Sequence, residues 1–174
     1  MMQMMVAGGM DALTDGLRVA DENNAKGYYE WEPAKALKAR PEAIADAEGK
    51  VVKIISALLP LLPSSHQYRV IFMQRPLEEV VASQNRMLQR LGREVPSTPK
   101  ATVIAAFEKH LKELQAWSSK QGNLSVLNVD HGAVMERPHE EAARIARFVG
   151  VGLQIESMVA QVERSLHRER LESI

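Results

Sequence analysis

The chain contains no cysteine. That excludes a disulfide framework and any metal centre built on thiolates; it suits a reducing compartment, so a cytoplasmic location is expected. Neither sign of charge is in excess, with 22 basic residues against 22 acidic ones. A neutral balance gives no whole-chain attraction to nucleic acid or to an anionic lipid surface, so any anion site must be local. Long apolar runs are missing as well. The longest stretch, 54–62, is interrupted by Pro60 and is too short for a membrane span. The start lacks a charged segment followed by an apolar one and a small-residue cleavage site, so no secretion signal is expected. The five histidines, His66, His110, His131, His139 and His167, form no closely spaced pair of the metal-binding kind.

What is present fits one domain covering residues 1–174, with 45% apolar residues available for a core. Three near-continuous apolar runs have strand length: 50–56 (K-V-V-K-I-I-S), 69–74 (R-V-I-F-M-Q) and 124–129 (L-S-V-L-N-V). Such runs suit a parallel sheet covered on both faces. A short extra strand is allowed at 12–14. Four amphipathic stripes separate and follow the runs: Leu77 through Leu91, Val103 through Leu114, Ala142 through Val149, and Ile155 through Leu166. Pro76 opens the first with Glu78 and Glu79 in its first turn; Pro99 precedes the second, and Pro138 the third, which Gly150 ends. Strands alternating with helices predict an open α/β sheet. The clustered Met1, Met2, Met4 and Met5, with no cap before them, read as a helix entered midway.

The stretch most informative for chemistry is 70–87. Arg75 follows the second strand at its carboxyl end, where ligands of open α/β sheets bind. Ser83 lies about 10 Å along the following helix and almost two revolutions on, back near the face where that helix begins. A guanidinium and a hydroxyl so placed are able to hold one phosphate. The alternative is a solvated strand-end charge beside a surface serine. Elsewhere, Lys53 inside an apolar run must emerge at an end or find a partner, and both a structural and a functional reading stay open. The segment Tyr28-Tyr29-Glu30-Trp31-Glu32 either pins a loop to the core or lines a pocket and supplies a carboxylate base; Glu30 and Asp15 are the acidic candidates. Asp130-His131-Gly132 reads as a turn, His110 as a surface residue, and the Arg168–Arg170 cluster as a solvated face.

In these features the chain resembles the sulfotransferase family, whose members place an Arg after a strand and a Ser eight positions later on a helix. The segment at 24–32 (N-A-K-G-Y-Y-E-W-E) is similar to the N-x-x-G-Y-F-E of bacterial members, and 124–150 is similar to the family's later strand, loop, proline and helix. The resemblance implies a three-layer α/β/α fold with a parallel sheet, related to phosphate-loop nucleotide-binding domains. It implies transfer of a sulfuryl group from 3′-phosphoadenosine 5′-phosphosulfate to an acceptor small molecule or glycan, with no metal. Arg75 and Ser83 would bind the 3′-phosphate. Two departures follow. No P-R-S-G-T-S-like phosphate loop with its strand precedes Met1, so a partial domain with impaired turnover is expected. Where cytosolic members carry K-T-H, this chain has Lys53-Ile54-Ile55, which keeps the Lys and loses the His. The alternative is a non-catalytic nucleotide-binding or interaction domain, homodimeric through an exposed sheet edge. A nucleotide kinase would share the architecture but need a glycine-rich loop with Lys.

Overall fold

The computed structural model describes residues 1–17 and 27–163. Their order is α1 (Met2–Ala7), β1 (Ala12–Leu13), 3₁₀ segments at Glu32–Ala36 and Pro41–Ala47, β2 (Val51–Val52), a 3₁₀ segment at Ser56–Leu61, β3 (Tyr68–Gln74), α2 (Leu77–Arg90), α3 (Lys100–Ser118), β4 (Leu124–Asp130), α4 (His131–Glu136), α5 (Pro138–Val149) and α6 (Ile155–Val159). The class is mixed α/β with parallel strand pairing throughout. β1 pairs with β2 through Ala12↔Val51 and Leu13↔Val52. β3 pairs with β4 from Tyr68↔Leu124 to Gln74↔Asp130. Among the described residues these are two separate two-stranded sheets.

The predicted strand at 69–74 is present and one residue longer at its start, and the one at 124–129 extends to Asp130. The run at 50–56 behaves differently. Only Val51 and Val52 join a ladder, because their partner β1 is itself two residues long. Beyond Lys53 the chain winds into the Ser56–Leu61 segment, whose Leu58 and Leu61 turn toward a core around Trp31, Ala34, Leu37 and Ile44. An apolar run cannot by itself distinguish a strand from a short helical turn packed on a core.

Alternation along β3 and β4 sends Ile71, Met73, Leu127 and Val129 to one face, where they meet Met4, Met5, Ala142, Ile145 and Met158 from α1, α5 and α6. Val129, Ala142, Ile145 and Met158 are completely buried there. Both cores are shared across the two strand pairs: Val51 of β2 packs with the first, and Val52 of β2 and Tyr68 of β3 pack with the second.

The helix boundaries follow local signals with one shift. Pro76 is the cap of α2 and Leu77 its first residue. Pro138 starts α5, and Gly150 closes it in the left-handed region at φ 73°. Asp130 is not part of a turn, as expected, but caps α4: its Oδ1 accepts from Ala133 N at 2.7 Å. His110 is half-buried rather than on the surface, sharing a 3.0 Å hydrogen bond between its Nε2 and Ser56 Oγ. In the described part of the fourth stripe, α6 covers Ile155–Val159. Leu166, His167, the 168–170 cluster and residues 24–26 of the 24–32 segment lie outside the described residues.

Candidate functional site

Arg75 leaves β3 at its carboxyl end, next to the Gln74↔Asp130 pair. Its Nε donates to Glu79 Oε2 at 2.7 Å. Glu79 sits in the first turn of α2 with its side chain only 7% exposed, against 24% for Arg75. Ser83 follows one turn further along, exposed. Glu79 and Ser83 are four residues apart within α2, so they project from neighbouring turns on one side of the helix, and Arg75, two residues before the helix, reaches Glu79 from the strand end. Arg75 therefore has Glu79 as a partner, a residue outside the Arg75–Ser83 pair read from the sequence. A largely buried carboxylate thus holds the Nε edge of the Arg75 guanidinium. The four-residue spacing of Arg75, Glu79 and Ser83 was the available signal for Glu79.

A second cluster forms beyond the carboxyl ends of β1 and β2, and it gathers Lys53, Glu30 and Asp15. Lys53 follows β2 and donates from Nζ to the Tyr28 carbonyl at 2.8 Å. The same ammonium is 3.8 Å from Glu30 Oε1 and 5.9 Å from the centre of the Tyr28 ring. The Lys53 and Glu30 side chains are 38% and 32% exposed, so the pair sits at a shielded but open rim. Lys53 thus satisfies both requirements set by its apolar surroundings: it emerges at a strand end and finds partners there.

Backbone bonds stitch this segment down. The Glu30 carbonyl accepts from Thr14 Oγ1 at 3.0 Å and from Asp15 N at 3.1 Å. Asp15 in return accepts from Leu17 N at 3.0 Å and Glu32 N at 2.6 Å. Those two amides hold the Asp15 carboxyl below the usual carboxylate range. A carboxylate so stabilised is a poor proton acceptor, and Asp15 serves to fix the loop. Glu32 is tied to Lys35 at 2.6 Å, which raises the ammonium's affinity for its proton. Tyr29 adopts φ 50°, a region sparsely used by residues other than glycine. The turn that carries Glu30 to Lys53 is thus held in an uncommon conformation by its bonds on both sides. Trp31 and Tyr28 are buried, so the aromatic pair does pin the loop, while Glu30 is left at the rim.

Among the described residues no group of three or more His, Asp or Glu is arranged to hold a metal ion, and no helix is long and apolar enough to cross a membrane. Comparison of the chain with protein-family models, with curated proteins and with solved structures gave no match.

Proposed function

We propose that this chain is a sulfotransferase-type domain that binds the 3′-phosphate of 3′-phosphoadenosine 5′-phosphosulfate. The observation that carries the reading is an arginine at the carboxyl end of a parallel strand, bonded to a buried carboxylate of α2, with an exposed serine one turn beyond that carboxylate on the same helix. The resemblance of 24–32 and 124–150 to the family's segments supports it.

In the reaction so proposed, an acceptor hydroxyl or amine attacks the sulfur in line, the sulfur–oxygen bond to the 5′-phosphate breaks, and 3′-phosphoadenosine 5′-phosphate leaves. Glu30 is the base that takes the acceptor's proton, and Lys53 supplies positive charge to the sulfuryl oxygens. Arg75 and Ser83 account for the 3′-phosphate end of the donor.

Calorimetric titration with 3′-phosphoadenosine 5′-phosphate tests the site. Binding should fall by about tenfold or more in both Arg75→Ala and Ser83→Ala, in the range of one lost charge-assisted hydrogen bond. Micromolar binding that survives Arg75→Ala contradicts the assignment.

A second reading, a non-catalytic interaction domain, is favoured by one feature. The two strand pairs share both apolar layers, yet β2 and β3 are not hydrogen-bonded to each other. A strand edge that no neighbour pairs is a template for another strand. Size-exclusion chromatography with light scattering separates the readings: a tight dimer favours the interaction domain, a monomer that binds the nucleotide favours the enzyme type.

A further inference from the structure

The face of β3–β4 that looks away from the first core borders a cleft of about 610 Å³ between the sheet and α3. Val70 and Phe72 of β3 and Val126 of β4 form its floor, and Leu111 and Leu114 of α3 its wall, with Leu59 beside them. Parallel strands are ordinarily covered on both faces. Here Val126 keeps 41% of its surface exposed in the middle of a strand, so α3 flanks the face without sealing it.

We infer that this cleft is a binding site for a small, neutral, elongated molecule with an apolar body and hydrogen-bonding ends. The volume lies within the range of small-molecule pockets, and an apolar lining with a few polar groups is their usual make-up. The length follows from the strand: the cleft runs beside β4 from Leu124 to Asn128, about 13 Å at strand rise. The polarity follows from the two ends. Gln74 and Asn128 stand near the carboxyl ends of the strands, and Ser118 and Gln121 at the opposite end. The charge follows from α3. Its two charged lining residues, Glu108 and Lys112, are of opposite sign and one turn apart, so they present no net charge to an occupant. An aryl or alkyl alcohol or amide meets all three conditions. The inference does not depend on the phosphate site: Val70, Phe72 and Gln74 line the cleft, whereas the donor is assigned to Arg75 and α2.

The test is a fluorescence titration of the full chain with the neutral probe N-phenyl-1-naphthylamine. One saturable site per chain is expected. Val126→Asp, at an exposed floor position, should weaken it by about tenfold or more, since an ionised carboxylate resists burial against an apolar ligand. Ser118→Trp, which fills the cleft from the α3 side, should do the same, while Val151→Asp, at another exposed valine (51%), should leave binding unchanged. Circular dichroism melts of the variants confirm that each is folded. Absence of saturable binding, equal binding by Val126→Asp and the parent chain, or equal loss in Val151→Asp overturns the proposal. So does light scattering that finds a dimer converted to monomer by Val126→Asp, because the cleft is then a contact between copies.

Discussion

Asp15 and Arg75 are charged side chains whose roles differ with their partners. Asp15 spends its two oxygens on backbone amides of Leu17 and Glu32 and thereby fastens 28–32 to the end of β1. Its proton affinity is lowered in the folded chain, so the stability it contributes is present above its unfolded pKa and is lost as pH falls through the lower folded value. Urea melts between neutrality and pH 3 should show that loss for the parent chain and a flatter acid limb for Asp15→Asn, with Asp15→Asn less stable than the parent at neutral pH. Arg75 faces a carboxylate that is nearly out of solvent. Arg75→Ala should lower stability by about 1–3 kcal/mol, the worth of a charge-assisted hydrogen bond to a largely buried carboxylate, whereas Ser83→Ala at its exposed position should change stability by less than about 0.5 kcal/mol. Denaturant midpoints measured beside the nucleotide titration separate a binding role from a folding role: Ser83→Ala must lose affinity without losing stability. The candidate residues were legible as types and positions. Lys53, Glu30 and Asp15 had no shared spacing, and only the fold beyond β1 and β2 brings them together. The Ser56–His110 bond had no local sign at all, since it joins residues 54 positions apart.

Among the elements, those bounded by strong punctuation were read well. α5 is opened by Pro138 and closed by Gly150, and both residues stand where their backbone preferences put them. At φ 73° an added Cβ on Gly150 would lie 2.6 Å from Arg69 Nη1, whose guanidinium donates to the Val149 carbonyl. Gly150→Ala should therefore destabilise by about 1–2 kcal/mol from the left-handed backbone alone, and by more where Arg69 must give way; a thermal melt reads it as a lower Tm. The 50–56 run departs from its expected strand for the opposite reason: no glycine, asparagine or charged turn interrupts it, and Pro60 lies beyond it. Its division into two strand residues and a 3₁₀ segment is decided by the brevity of β1 and the draw of the Trp31 core, both distant in sequence. The short α4 has no distinguishing local sign, because Asp130-His131-Gly132 serves a turn and a helix cap equally well.

For the molecule as a whole, the two strand pairs differ in security. β3 and β4 share seven register pairs, and Val129 in the last but one of them is sealed from solvent. β1 and β2 share two. Native-state hydrogen exchange should accordingly divide the sheet amides into two classes, with Ile71–Met73 and Leu127–Val129 exchanging only by global opening and Val51–Val52 by a smaller local opening. A single slow class would mean that the pairs open as one unit. Parallel pairing was legible from the apolar runs and stripes; the two-core arrangement and the separation of the pairs were not, because strand order is a property of which edges meet and leaves no trace in composition or periodicity.

Gly8 accepts a hydrogen bond from Gln154 N at 2.9 Å and lies so near Met158 that an added Cβ would come within 2.8 Å of its Cγ. The beginning of the described chain is thereby clasped to its last helix. A molecule stretched from its two extremities would bear the load at this seam first, and would let go of α1 and α6 together before either ladder of strands felt the pull.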